Sequence, residues 1–143
     1  MDFSEFNNYT VKKQIMDKIK KYFDFSGTIS GTNYFLRNLI STFIAFFAGF
    51  MVGYGIGGGQ TGLTTLGLLI IAPTLWFSVA TIYKRANALF PENATAWTIG
   101  IIVLQILSQS FKGEPFGGIL TLATLIIGII FIFSNSKLEN HEG

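Results

Sequence analysis

Apolar positions along this chain fall into two regimes. Between Val11 and Phe23 they recur at helical spacing. Val11, Ile15, Ile19 and the pair Tyr22/Phe23 stand at i, i+4, i+8 and i+11/12, and Lys12, Lys13, Lys18, Lys20 and Lys21 fill the intervening positions. That period predicts an amphipathic helix. From Leu39 onward the pattern changes. Four stretches, residues 39–56, 63–83, 94–111 and 116–133, carry no charged residue and run eighteen to twenty-one positions each. A helix needs ~17–25 residues to cross the hydrocarbon of a bilayer, so each stretch is long enough to span. The expected fold is an all-α membrane protein, a four-transmembrane-helix bundle preceded by an N-terminal amphipathic interfacial helix. Residues 1–38 form the basic N-terminal segment, opening on a short mobile or interfacial start at residues 1–9. Residues 39–133 form the membrane domain and residues 134–143 a polar tail.

Punctuation supports these boundaries. Small residues at 26–33, "SGTISGTN", predict a turn that ends the surface helix before the first span. Pro73 sits inside the second span and predicts a kink. Pro91, Glu92 and Asn93 precede the third span in the order expected of a helix start, with Glu92 and Asn93 as candidate caps. The third span is the most polar, with Thr98, Gln105, Ser108 and Gln109 followed by Lys112. In lipid such groups face other helices or a watery path. With no charged residue in the middle of any span, hydrogen bonding between helices is the favoured reading over a transport path.

Charge decides orientation. Only 13% of the 143 residues are charged and 50% are apolar, against about 25% charged in soluble domains. No acidic residue occurs between Asp24 and Glu92. Six Lys/Arg precede the first span, two (Lys84 and Arg85) follow the second, and Lys112 and Lys137 stand alone. Excess Lys/Arg stays on the cytoplasmic side, so the N-terminus, the loop at Lys84–Arg85 and the C-terminus are expected inside. Lysines 12, 13, 18, 20 and 21 are expected to contact anionic headgroups at the membrane surface. Lys84 and Arg85 are expected as a topology anchor, or as a phosphate or partner contact. Tyr34, Phe35, Tyr83 and Trp97 stand at span edges, where amphipathic rings prefer the headgroup level. Trp76 lies deeper, where it is expected to pack between helices.

The chain has no cysteine, and its one histidine, His141, sits in the tail. Disulfides, thiolate metal sites and cysteine nucleophiles are thereby excluded, and histidine chemistry in the membrane body with them. No nucleophile–base pair or paired carboxylate is visible. The expectation is a non-enzyme without metal, cofactor or nucleic-acid partner.

"FMVGYGIGGGQTG", residues 50–62, matches two known patterns by letter. Val52-Gly53-Tyr54-Gly55 resembles a potassium-channel filter, but only one apolar segment precedes it, where a filter requires an outer helix and then a pore helix. Gly53, Gly55 and Gly58 fit G-x-G-x-x-G, but no strand precedes them and the next acid is Glu92, beyond the second span. A third pattern fits. Ala45, Gly49, Gly53 and Gly57 are spaced by four and form one small-residue ridge, which lets helices approach closely in lipid. Packing against a neighbouring span is the favoured use, and contact in a homo-oligomer is the other.

Two further stretches, "YFDFSGTISGTNYF" and "APTLWFSVATIYKRANALFPENATAW", carry a family resemblance. Phe25, Gly27, Tyr34 and Phe35 match one motif, and Lys84, Arg85 and Trp97 match a second. In this the chain resembles the DUF805 family of small multi-pass bacterial inner-membrane proteins, as a divergent member. Thr28 and Gly31 stand where that family usually has arginines, and Asn87 and Ala88 where it has His-Asp. The resemblance implies topology and inner-membrane location. The function expected is structural, assembly or regulatory. The alternatives are a small oligomeric pore or permease subunit and a phage holin-like membrane protein.

Overall fold

A computed structural model describes residues 3–137 of the chain, with side chains from Thr10 onward. Helix α1 runs Phe3–Phe23, α2 Gly31–Gly57, α3 Thr61–Leu89, α4 Ala94–Ser110 and α5 Pro115–Phe133, with a 3-10 turn at Pro91–Asn93 before α4. No strand occurs among the described residues. Three of these helices, α2, α3 and α5, are long and apolar enough to cross a membrane. The backbone is already helical at Phe3, so the expected loose start at residues 1–9 is part of α1 from that residue on. Residues 1–2 and 138–143, including His141 and most of the expected polar tail, lie outside the described residues.

The helices overrun the apolar stretches. Helix α2 starts eight residues before Leu39, because the Ser30 hydroxyl caps it by accepting from the Asn33 amide at 3.2 Å. The small-residue turn is thus confined to residues 24–30. Helix α3 runs through Lys84 and Arg85 to Leu89, so the loop expected at Lys84–Arg85 is helix. A helix of 27 residues is ~40 Å long, against ~30 Å of hydrocarbon. The surplus of α2 and α3 emerges together at one end, because the two helices are antiparallel and joined by a tight turn at residues 58–60. Gly59 has φ +66°, which favours glycine there. Asn93 makes no side-chain cap. Thr98 and Ser108 are buried, but their hydroxyls donate to the Ala94 and Gln105 carbonyls of α4 itself, so the expected bonds between helices are not what they make. Gln105 and Gln109 are exposed.

Helices α2 and α3 share the most extensive contact in the chain. Its closest approach uses a different face from the predicted ridge. A Cβ placed on Gly67 would stand 2.6 Å from Val52 Cγ2 and 2.8 Å from the Ala48 carbonyl oxygen, and one on Gly55 would overlap Thr64 Oγ1. By contrast, Ala45 is exposed, and a Cβ on Gly49, Gly53 or Gly57 would meet nothing within 4 Å. The ridge therefore points away from the chain's own helices, and the packing face lies beside it, at Ala48, Val52 and Gly55. Glycine spacing by four marks a close-packing stripe but does not say which partner uses it.

Burial concentrates at the end where α2 begins and α5 finishes. The buried apolar cluster joins Ile29, Tyr34, Ile82, Ala86, Leu89, Ala94, Ile101 and Phe131. The middle and far parts of α2 and α3 expose Phe43, Phe46, Phe47, Phe50, Leu66, Leu69 and Leu75. Such apolar flanks suit lipid as solvent.

Gly67→Leu is expected to destabilise the chain by ~1–3 kcal/mol through overpacking. Gly53→Leu is expected to stay within ~0.5 kcal/mol. Denaturant unfolding in detergent micelles, followed by circular dichroism, measures both.

Candidate functional site

One arginine organises the buried end. Arg85, on the last third of α3, is 1% exposed, and Lys84 beside it is 0% exposed. A helix of alternating burial would send two adjacent residues to different faces. Both can be covered here because α3 is wrapped on several sides at this level, by α2, α4, α5 and the 24–30 segment.

The Arg85 guanidinium donates four hydrogen bonds. Nε reaches the Phe131 carbonyl at 2.6 Å, and Nη2 the Ser134 carbonyl at 2.6 Å. Nη1 reaches the Ile29 carbonyl at 3.2 Å and the Ser136 hydroxyl at 2.7 Å. Two of these acceptors, the Phe131 and Ser134 carbonyls, lie at the end of α5. The last four carbonyls of a helix lack intrahelical donors, and partial negative charge gathers there. Phe131 belongs to the final turn of α5, so a buried cation at this point satisfies orphan acceptors and faces the favourable end of the dipole. Gly31 lets this arrangement close up, since a Cβ there would overlap the Ile132 carbonyl and stand 3.2 Å from Arg85 Nη2.

Lys84 serves the other side of the same end. Its Nζ donates to the Lys21 carbonyl at 2.6 Å, in the last turn of α1. Trp76 Nε1 donates to the Phe23 carbonyl at 3.0 Å, and Asn87 Nδ2 to the Gly27 carbonyl at 3.2 Å. Trp76 therefore joins α3 to the last residue of α1, and its ring also meets Phe25 of the connecting segment. The tail is tied as well, through the Lys137 amide and the Ala88 carbonyl at 2.9 Å. Helix α3 thus holds the end of α1, the 24–30 segment and residues 134–137. The reading of Lys84 and Arg85 as a phosphate or headgroup contact is corrected by this geometry, because both side chains are covered and spent on backbone carbonyls.

Aromatic contacts fill the same region. Phe25 meets Trp76 edge-on at 5.2 Å and Tyr83 at 5.6 Å, Tyr34 packs on Phe131 at 5.6 Å, and Trp97 stacks on Phe90 at 4.6 Å. Tyr34 is buried, while Phe35 is exposed. Phe25, Gly27, Tyr34, Lys84, Arg85 and Trp97, scattered in sequence, stand at one end of the molecule. Ile29, Asn87, Ser134 and Ser136 complete the network, and sequence alone gave no sign of them, since their roles rest on backbone carbonyls or on a tail folding back.

The exposed lysines of α1, Lys12, Lys13, Lys18, Lys20 and Lys21, do not join this network through their side chains in any bond seen here, although the Lys21 backbone does. Asp24 closes the α1 end with its own turn. Its carboxylate accepts from the Ser26 hydroxyl at 2.7 Å and the Ser26 amide at 3.2 Å. These two bonds, the hydroxyl first, hold its pKa below the ordinary 3.8. Among the described residues no group of three or more His, Cys, Asp or Glu converges as metal ligands would. No family model matches the chain, and no curated protein or solved structure shows significant similarity to it.

Arg85→Leu is expected to cost ~3–5 kcal/mol, because it strands buried acceptors without their charged donor. Hydrogen exchange at residues 134–137 is expected to accelerate in step. Because the Asp24 pKa is lowered, its contribution is present above 3.8 and is lost as pH falls through the still lower folded value. The Ser26 amide signal in NMR is expected to move with a midpoint below 3.8, and Asp24→Asn to abolish that movement.

Proposed function

We propose that this chain is a multi-pass inner-membrane protein of bacterial type, non-enzymatic, with a structural, assembly or regulatory role and a basic helix on the cytoplasmic surface. The observation that carries the topology is the Arg85 clamp. It binds Ile29, which precedes α2, and Ser134 and Ser136, which follow α5. Both ends of the membrane region therefore meet on one side, and the number of crossings between them is even. With α2, α3 and α5 long enough to cross, α4 makes the fourth crossing in this reading. Its 17 residues give ~26 Å, a shortfall that local bilayer thinning absorbs at small cost.

Charge supports the orientation. Arg37, Lys84, Arg85 and the last turn of α1 with Lys20 and Lys21 lie toward the clamped end, and Lys112 lies at the other. The excess of positive charge supports the reading in which the clamped end, with both termini, is cytoplasmic. The closed, hydrogen-bonded end built on Arg85 favours a scaffold over a carrier. Kinship in plan with DUF805 proteins is part of this proposal and rests on the sequence motifs at Phe25, Gly27, Tyr34, Phe35, Lys84, Arg85 and Trp97.

A second reading, a small oligomeric pore or permease subunit, draws on the outward ridge at Gly49, Gly53 and Gly57 and on the exposed Gln105 and Gln109. Polar and small residues at lipid-facing positions suit contact between copies.

The chain has no cysteine, so single cysteines report topology cleanly. Gln60→Cys and Glu114→Cys, both exposed, are expected to react with a membrane-impermeant maleimide in intact cells, and Lys137→Cys only after permeabilisation. A reactive Lys137→Cys with a protected Glu114→Cys would sink the four-crossing reading. For the second reading, strong disulfide crosslinking of Gly53→Cys chains in membranes favours the oligomer, and its absence counts against it.

A further inference from the structure

Helix α1 does not lie free of the membrane helices. Its last turn packs Tyr22 and Phe23 on Phe77 of α3, with ring centroids 6.4 and 5.9 Å apart. Below this contact, α1, α2 and α3 enclose a groove of about 460 Å³, within the ~300–1,000 Å³ usual for small-molecule sites. Its walls are almost wholly apolar: Ile19 and Tyr22 from α1, Ile40 and Ile44 from α2, and Leu69 and Pro73 among those from α3. Along α3 the groove runs from Phe77 to Leu69, ~12 Å at 1.5 Å per residue, away from the clamped end and toward the membrane interior. A groove of this volume and length, with almost wholly apolar walls, suits a single hydrocarbon chain.

The polar end of the groove carries positive charge. Arg37 stands one turn before Ile40 on α2, and its guanidinium carbon lies 4.7 Å from the centre of the Tyr22 ring. Lys18 and Lys20 flank Ile19 on either side by helical spacing, and both are exposed. The acids near them are Asp17 and Asp24, and the Asp24 carboxylate is engaged by Ser26. An apolar groove with basic residues next to its α1 and α2 walls matches an amphiphile with one anionic end.

We propose that this groove holds one acyl chain of an anionic phospholipid, with its headgroup phosphate on Lys18 and Lys20 and the charge of Arg37 behind Tyr22. The site rests on the membrane reading above and adds to it a specific ligand. Its consequence is mechanical. A seated lipid would join the exposed face of α1 to the α2–α3 hairpin and fix the surface helix against the leaflet.

The test uses the full chain, purified in mild detergent and offered phosphatidylglycerol or phosphatidylcholine of matched acyl chains, with retained lipid counted by native mass spectrometry. The expected result is one tightly retained phosphatidylglycerol per chain. The Lys18→Gln/Lys20→Gln double variant is expected to reduce the preference for phosphatidylglycerol by about thirtyfold, and these exposed changes leave folding intact. Ile44→Trp and the milder Ile40→Phe fill the slot and are expected to abolish retention of either lipid. Retention unchanged in both fillers, or a headgroup preference unchanged in the lysine variant, would overturn the site. So would near-complete disulfide crosslinking of Ile44→Cys chains, which would give the groove to a second copy. Wild type that stays in the membrane pellet through an alkaline carbonate wash yet retains no lipid overturns the site alone. Release by that wash overturns the membrane reading and the site together.

Discussion

A guanidinium cannot leave water without acceptors, and Arg85 finds them in the unsatisfied carbonyls that end α5. The rest of the clamped end depends on that exchange. The helix terminus needs donors, the buried cation needs acceptors, and the two needs cancel only when α3 and α5 meet at this level. Once they meet, the Ile29 carbonyl and the Ser136 hydroxyl fall within reach of the same side chain. Segments far apart in the chain are thereby tied to one point. A lysine could not replace it, because a point charge lacks the planar fork that reaches several acceptors at once.

The clamp also explains why burial is uneven. In water, apolar surface is hidden everywhere and a core forms at the centre. In lipid, apolar flanks need no cover, and association relies on close packing and polar contacts. The chain follows the second rule. Its helices expose large apolar side chains along their middles, keep close contact where Gly55 and Gly67 allow it, and gather polar contacts and buried aromatics where α2 begins and α5 ends. Helix α1 belongs to both regimes, with its last turn tied to α3 and its apolar stripe of Val11, Ile15 and Ile19 left exposed.

The glycine-rich stretch shows how context overrides letters. As a filter or a nucleotide loop it fails on the elements around it. As a packing stripe it succeeds, but on a neighbouring face. The residues that meet α3 are Ala48, Val52 and Gly55, and the regular series from Ala45 to Gly57 faces outward. A period of four identifies smooth faces on a helix. It cannot rank two such faces that lie side by side, because the choice depends on how the helices cross.

By itself, the sequence determined the solvent, the helices and the bias of charge. Uncharged runs of eighteen or more residues and a lysine-lined apolar stripe are local properties, and local hydrogen bonding in a helix follows from them. The helix ends were less legible, since α2 reached back to Gly31 and α3 forward to Leu89 under capping and tertiary cover. Only the tertiary structure decided what Lys84 and Arg85 do. In sequence they are a basic pair after a span, which suggests an exposed anchor. Apart from the Ser136 hydroxyl, their acceptors are main-chain carbonyls of Lys21, Ile29, Phe131 and Ser134, which every residue possesses and no residue type announces. A bond to the backbone leaves no signature in the side chains that receive it, so it becomes visible only when the chain has folded.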